Sequence, residues 1–163
     1  MIAIIAEKPS VGQDIARVVG ATEKMDGYIT GNGYMVTWAL GHLVSLALPG
    51  TYGYTRTTAE DLPMLPEPFR LVERQIRTDR GMVTDIAAGK QLKIIDEVFS
   101  KCDSIIVATD AGREGELIFR WIYSYLGYTK PFRRLWISSL TDEAIREGKV
   151  NFRAARRGLL WVD

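Results

Sequence analysis

The sequence has 163 residues, 47% of them hydrophobic and 25% charged, with a formal net charge of +1. These values predict one soluble globular domain and exclude a disordered chain or one that is basic throughout, although they permit a local basic face. A single cysteine, Cys102, excludes an intramolecular disulfide and a multi-cysteine zinc site. No apolar run reaches the roughly 18 residues of a membrane span, so we expect a cytoplasmic protein with no membrane partner.

The first strand–turn–helix unit lies at the start of the chain. Residues 1–6 are apolar and predict a buried strand, while apolar residues at helical spacing between 11 and 19 predict a helix that Ser10 caps. Glu7 lies in the turn between them. Taken alone it has a simple explanation, because a helix dipole stabilises an acidic residue at its N-terminus by about 0.3–1 kcal/mol.

The next segment predicts a β-hairpin and then an irregular excursion. Residues 27–38 combine an Asn-Gly turn with β-branched and aromatic flanks, which is typical of a hairpin. His42, the only histidine, follows, and a lone histidine is weak support for metal binding or acid–base chemistry. Residues 49–68 are rich in Gly, Pro, Thr and Tyr and predict a long loop, either functional or covering a sheet edge. The alternation over 70–76 predicts one strand.

The rest of the chain continues the strand–helix alternation. Residues 85–99 carry a helical stripe interrupted by Gly89, residues 132–138 predict a buried strand, and Thr141 is expected to cap a further helix. Residues 149–163 are basic and then apolar. They fit two interpretations equally, a short terminal helix or a segment cut short.

The most informative stretch is an acidic turn after a second apolar strand. Residues 104–108 predict a buried strand, and residues 117–126 predict a helix. Between them stand three carboxylates, Asp110, Glu114 and Glu116. Carboxylates are costly to bury unless they are paired or bind metal, and in α/β folds the carboxyl ends of strands are where ligands bind.

Repeated strand–turn–helix units predict an α/β fold with a mostly parallel sheet and helices on both faces. If the two acidic strand ends are neighbours, Glu7 lies near Asp110 and Glu114. Three hard oxygen donors with room for water are typical of a Mg²⁺ site. The adjacent cations Lys8 and Arg113 fit a phosphate substrate. The alternative is that these charges form structural salt bridges. One acidic turn alone would not argue against that alternative, but two acidic turns at equivalent strand ends favour a functional site.

Five stretches resemble the Toprim domain of type IA DNA topoisomerases, in particular the topoisomerase III branch. They are Ile4–Ser10, Gly41–Leu43, Leu62–Phe69, Ala108–Glu116 and Trp136–Thr141. The resemblance covers residues 1 to about 148. It implies a Toprim domain of the Rossmann-like class over 1–148, with the hairpin and long loop as additions, and a basic and apolar tail over 149–163.

The resemblance also implies roles for individual residues. Glu7 matches a glutamate with proton-transfer and metal-linked roles, and Lys8 matches a lysine that contacts the phosphate. Asp110 and Glu114 match Mg²⁺-associated carboxylates, and His42 matches a histidine that lines the site. Arg113 and Glu116 complete the Arg-Glu-Gly-Glu segment, and Arg113 joins Glu7, Lys8 and His42 as a candidate catalytic residue.

One position departs from that family. The second aspartate of its acidic motif is replaced here by Gly112. One metal-facing carboxylate is therefore missing, which argues against a two-metal arrangement and leaves Glu7, Asp110 and Glu114 to hold one ion.

The resemblance further implies that a tyrosine cleaves one DNA strand and that the strand is resealed. None of the seven tyrosines stands in a matching motif. We therefore expect the nucleophile in another domain of a longer enzyme, with single-stranded or underwound DNA as substrate and a helicase as a further partner. Two alternatives remain open: a stand-alone Mg²⁺-dependent nuclease or primase-like protein, and a non-catalytic binding module with a degenerate metal site.

Overall fold

The computed structural model describes residues 1–54, 58–136, 141–150 and 153–154. Its strands are β1 (Ile2–Ala6), β2 (Glu23–Met25), β3 (Tyr28–Gly31), β4 (Tyr34–Trp38), β5 (Val44–Leu46), β6 (Leu71–Glu73), β7 (Gln75–Thr78), β8 (Gly81–Thr84), β9 (Ser104–Ala108), β10 (Phe132–Arg134) and β11 (Arg153–Ala154). Its α-helices are α1 (Pro9–Val19), α2 (Ile86–Lys101), α3 (Arg113–Tyr125) and α4 (Asp142–Val150).

The main sheet has the strand order β11-β10-β9-β1-β4-β3-β2. Strand β1 is parallel to both β4 and β9, and β9 is parallel to β10. Strands β2, β3 and β11 add antiparallel edges. Two small antiparallel pairs, β5 with β6 and β7 with β8, lie outside this sheet. The expected neighbours, β1 and β9, therefore meet at the centre of a mostly parallel sheet.

Helices cover both faces of the sheet, as the sequence predicts. Alternate residues of β1 point to opposite cores, because side chains in a strand alternate between its faces. Ala3 and Ile5 pack with the buried residues of α2 and α3. Ile4 and Ala6 pack with those of α1 and α4. The apolar character of the whole strand follows from this burial on both sides.

Helix α1 begins differently from the prediction. Ser10 is not its cap: the N-cap is Lys8, which makes no capping side-chain hydrogen bond, and Pro9 occupies the first turn. Proline suits that position because its missing N–H would have no helical partner there, and it favours an extended residue before it. Lys8 has that extended geometry, with φ −150° and ψ 160°. Helix α1 ends at Gly20, whose φ is 80°.

The predicted hairpin is confirmed as β3 and β4, joined at Asn32 and Gly33. The single strand predicted over 70–76 is wrong. Arg74 separates β6 from β7, and the two strands pair with different partners. Alternation predicts an extended chain, but it carries no information about which strand will pair with it. The excursion contains two short 3₁₀ helices, Pro49–Tyr52 and Ala59–Asp61.

The helix predicted over 85–99 is confirmed as α2, which continues through Gly89, where the apolar stripe is interrupted. Gly89 is buried, and a Cβ there would lie 2.8 Å from Glu73 Oε2. The glycine therefore leaves room for the Glu73 carboxylate beside α2 and does not break the helix. Strand β10 is shorter than predicted and ends at Arg134. Trp136 is 51% exposed, and residues 137–140 of the predicted strand lie outside the described residues.

The Thr141 hydroxyl accepts a hydrogen bond from the Ala144 amide at 3.3 Å, which confirms it as a cap for α4. The proposed division at residue 148 stays a prediction. Helix α4 runs across it, and β11 pairs with β10 beyond it. The apolar end, 159–163, lies outside the described residues. Among the helices that the structure describes, none has the length and apolar character needed to cross a membrane.

Candidate functional site

Two acidic strand ends meet at one edge of the sheet. Strands β1 and β9 run parallel with Ala6 opposite Ala108, so both end at the same level. Glu7 follows the first strand and Asp110 follows the second. The Asp110 backbone N–H donates to Glu7 Oε2 at 3.1 Å. Residues 103 positions apart in the chain are thus joined where parallel α/β sheets bind their ligands.

Glu114 meets His42 on the same side. Helix α3 begins at Arg113, earlier than residues 117–126 predict, so Glu114 stands in its first turn. The distance between Glu114 Oε2 and His42 Nε2 is 2.9 Å. The His42 ring packs against Trp121, with ring centroids 5.8 Å apart, and its Nδ1 is buried without a hydrogen-bond partner among the described atoms. The Glu114 side chain is 75% exposed and can reach a ligand from solvent.

The predicted phosphate-binding cations, Lys8 and Arg113, are both exposed. Within the part of the chain that the structure describes, neither forms an ion pair with an acidic side chain. Each follows or precedes a candidate ligand directly, Lys8 after Glu7 and Arg113 before Glu114. Positive charges that no protein carboxylate neutralises remain available to an anionic ligand.

Glu116 has a different environment. Arg120 Nε donates to its Oε1 at 2.6 Å, and Arg134 Nη2 donates to its Oε2. Arg134 is only 6% exposed, and its Nη1 also donates to the carbonyl oxygens of Thr109 at 2.9 Å and Asp110 at 3.3 Å. Through these hydrogen bonds the buried Arg134 guanidinium stabilises the turn after β9. Sequence reasoning missed Arg134, although an arginine inside a predicted buried strand was a signal.

The start of α3 lies against the turn after β9. The Thr109 hydroxyl donates to the Gly115 carbonyl at 2.7 Å. A Cβ on Gly115 would lie 2.1 Å from the carbonyl oxygen of Asp110 and 2.7 Å from its nitrogen. Both contacts involve main-chain atoms that cannot swing away. Residue 115 must therefore be glycine if the helix is to present Glu114 beside the acidic turn.

Gly112 has φ −73° and ψ 173°, a geometry open to any residue. A Cβ there would lie 3.2 Å from Asp110 Oδ2. A side chain at position 112 would therefore begin beside the Asp110 carboxylate. The backbone conformation permits an aspartate if the Asp110 carboxylate shifts slightly, and the glycine is not required by the local conformation.

The donor chemistry fits a hard divalent cation. Glu7, Asp110 and Glu114 supply carboxylate oxygens, the ligands that Mg²⁺ prefers, and none is ion-paired with a lysine or arginine in the described ranges. In this structure, however, these three carboxylates do not form one tight cluster. Across residues 1–54, 58–136 and the described remainder, no three His, Cys, Asp or Glu side chains are grouped closely enough to hold a metal. They stand as two pairs, Glu7 with Asp110 and Glu114 with His42.

The fold and this edge together define an α/β domain that gathers, within the described ranges, carboxylates and cations without acidic partners at the carboxyl ends of parallel strands, where such sheets bind their ligands. Residues 2–140 match the Toprim domain family. The chain belongs to that family.

Curated relatives extend the comparison. The chain is 47% identical over 154 residues to DNA topoisomerase 3 of Bacillus licheniformis, a match that covers 92% of this chain and 20% of that protein. It is 46% identical over 157 residues to DNA topoisomerase 3 of Bacillus subtilis, and 49% identical over 158 residues to that of Bacillus cereus. Each of these matches covers 94% of this chain and 20% of the relative. The chain therefore spans about a fifth of the length of the relatives it matches. The predicted resemblance to the topoisomerase III branch is confirmed.

Proposed function

We propose that this chain is the Toprim part of a type IA DNA topoisomerase of the topoisomerase III kind. It contributes the acidic and Mg²⁺-binding residues to cleavage and religation of one DNA strand. The proposal is supported by the Toprim family match over 2–140 and by the identity to proteins named DNA topoisomerase 3. The observation that carries it is the Glu7–Asp110 hydrogen bond, because it unites two acidic turns at one sheet edge.

Each residue has a separate part in this proposal. Asp110, Glu114 and Glu7 would hold the cation through their carboxylate oxygens. When bound, Mg²⁺ orients the phosphodiester and offsets its developing negative charge. Lys8 and Arg113 bind phosphate oxygens through charge-assisted hydrogen bonds.

We also propose that Glu7 exchanges a proton during the reaction. Its Oε2 accepts from the Asp110 amide, and Oε1 remains for the oxygen that leaves or attacks the phosphorus. His42 lines the site beside Glu114. We propose no catalytic role for Glu116, since two arginines already neutralise it.

The nucleophile belongs elsewhere in this proposal. The Tyr128 hydroxyl donates to Asp96 Oδ1 at 2.6 Å, and burial raises the pKa of this phenol, which opposes its use as a nucleophile. The Tyr123 hydroxyl donates to the Lys130 carbonyl at 2.7 Å. We propose that a tyrosine in another domain attacks single-stranded or underwound DNA, in a cytoplasmic enzyme that works with a helicase.

Isothermal titration with MgCl₂ tests the metal site in this chain. We expect binding by the unmodified chain, and a loss of at least tenfold in affinity in Asp110→Asn and in Glu114→Gln. Glu97→Gln is the matched control, because Glu97 is an exposed carboxylate that pairs with Lys101 outside the site. Absence of heat in the unmodified chain, or equal affinity in all variants, would support a degenerate binding module instead.

A plasmid assay tests the division of labour. The chain alone should bind single-stranded DNA in Mg²⁺ without relaxing a negatively supercoiled plasmid. Relaxation together with a covalent DNA–protein adduct would show that the nucleophile lies within these residues. Mg²⁺-dependent release of DNA fragments, lost in Asp110→Ala, would indicate a nuclease and replace the topoisomerase proposal.

A further inference from the structure

Arg74, which separates β6 from β7, forms hydrogen bonds through both its backbone and its guanidinium. Its backbone N–H donates to the Leu43 carbonyl at 2.8 Å, and its own carbonyl accepts from the Asp85 amide at 2.8 Å. Its Nε and Nη2 donate to Asp85 Oδ2 at 2.8 and 2.6 Å. Both partners are largely shielded from solvent, with 30% of the Arg74 side chain and 15% of the Asp85 side chain exposed. The guanidinium is therefore held in one orientation.

The remaining nitrogen reaches the loop that carries His42. Arg74 Nη1 donates to the Leu40 carbonyl at 2.7 Å and to the His42 carbonyl at 3.2 Å. These carbonyls lie on either side of Gly41, whose φ is +69° and around which a Cβ would meet no atom within 4 Å. A glycine in open space gives the loop conformational freedom. Arg74 Nη1 removes that freedom by donating to both flanks at once, while Nε and Nη2 fix the guanidinium on Asp85.

The loop position decides where the imidazole lies. His42 touches Trp121 through its ring and Glu114 through Nε2, and both partners are on α3. No strand or helix contains His42. Arg74 binds the His42 carbonyl, and the His42 ring contacts Glu114, so His42 links the two residues.

We propose that Arg74 is a positioning residue that sets the His42 loop so that the imidazole aims the Glu114 carboxylate at the metal and phosphate site. The inference rests on the proposed function, because only there does the direction of Glu114 matter. The route runs from Asp85 through Arg74 and the loop carbonyls to His42 and then to Glu114. A purely structural role would tie the β7–β8 hairpin to the domain and leave His42 unaffected.

Nuclear magnetic resonance can separate these roles, because His42 is the only histidine and its ring signals need no assignment. The readout is the change in the His42 ring shifts that Glu114→Gln causes. We expect this response in the unmodified chain and in Arg17→Ala. That control removes an arginine–aspartate pair, Arg17 with Asp142, between α1 and α4, which pack on the face of the sheet opposite α2 and α3. In Arg74→Ala the response should fall by more than half, and a full response would overturn the proposal.

Arg74→Lys provides the second variant if Arg74→Ala does not fold. Lysine keeps the charge but lacks the fork, so it binds Asp85 or the loop carbonyls and not both. In Arg74→Lys we expect the change in the His42 ring shifts caused by Glu114→Gln to be smaller than in the unmodified chain. If Arg74→Ala folds, the change in Arg74→Lys should lie between those of the unmodified chain and Arg74→Ala. An undiminished response in Arg74→Lys would refute the positioning role.

A Mg²⁺ titration distinguishes this inference from the function beneath it. Mg²⁺ affinity should fall several-fold in Arg74→Ala or, failing that, in Arg74→Lys. If Glu114→Gln leaves Mg²⁺ affinity unchanged, the proposed metal site fails even where the shift response shows that Arg74 sets His42. If Glu114→Gln weakens binding but both Arg74 variants bind as the unmodified chain does, the metal site stands and the positioning role fails.

Discussion

Gly115→Ala is the sharpest test of how the acidic turn is built. The added methyl carbon would lie 2.1 Å from the Asp110 carbonyl oxygen and 2.7 Å from the Asp110 nitrogen. Both atoms belong to the backbone between β9 and α3. The conflict can be relieved only by moving the helix start away from the strand end, and that movement displaces Asp110 and Glu114 relative to each other.

The magnitude follows from two opposing effects. Overpacking a tight site costs about 1–3 kcal/mol, and a contact with backbone atoms belongs at the upper end of that range. Alanine recovers about 1 kcal/mol through its higher helix propensity. The free energy of unfolding should therefore fall by about 2 kcal/mol. In a domain of this size each 1 kcal/mol lowers Tm by about 2–4 °C, so we expect a drop of about 4–8 °C.

Thermal unfolding followed by circular dichroism measures this effect, with Mg²⁺ titration on the same samples. Gly50→Ala is the matched control, because a Cβ at Gly50 would meet no atom within 4 Å and the residue lies outside the left-handed region. Its Tm should stay within about 2 °C of the unmodified value, since surface changes are usually worth less than 0.5 kcal/mol. An unchanged Tm and unchanged Mg²⁺ affinity in Gly115→Ala would refute the close-approach explanation.

Three further outcomes are expected. Glu116→Gln should lower the free energy of unfolding by about 3 kcal/mol in urea titrations, since it leaves the buried Arg134 guanidinium without its carboxylate; an unchanged midpoint would contradict this. Gly112→Asp should tighten Mg²⁺ binding several-fold in calorimetry, because it adds a carboxylate beside the existing ones; equal or weaker binding would show that the position does not face the metal. The hydrogen bond from Arg74 holds the pKa of the Asp85 carboxyl below its ordinary 3.8. The stability advantage of the unmodified chain over Asp85→Asn should therefore be full above that pH and disappear as the pH falls through the lowered pKa, and urea titrations that show a pH-independent difference would refute it.

The central units of the fold are predictable because they depend on local patterns. Apolar runs predicted β1 and β9, helical spacing predicted the helix between 11 and 19, and the Asn-Gly pair predicted the β3–β4 hairpin. The division of 70–76 at Arg74 was not predictable in the same way. It depends on hydrogen bonds to Leu43 and Asp85, and no local pattern describes partners so far away in the chain.

The candidate site likewise has one part that local patterns predict and another that depends on contacts between distant residues. Carboxylates after two apolar strands predict that Glu7 and Asp110 lie near each other, since parallel strands end at one edge. His42 could not be placed from the sequence, because its contact with Glu114 spans 72 residues and depends on a loop that Arg74 holds. Arg134 was missed for a related reason: the cost of burying its charge is offset by Glu116, which lies on another element.

The sequence by itself determined the residue types at the acidic turn, the strands before them and the absence of a carboxylate at Gly112. The resemblance singled out Glu114 as a metal ligand and not Glu116, but it gave no physical reason for treating differently two carboxylates that stand two residues apart in the first turn of one helix. Only the tertiary structure shows why the two differ. One faces solvent and His42, while the other lies between Arg120 and a buried Arg134. The physical reason is that the availability of a carboxylate depends on the charges that the fold brings to it, and these come from distant parts of the chain.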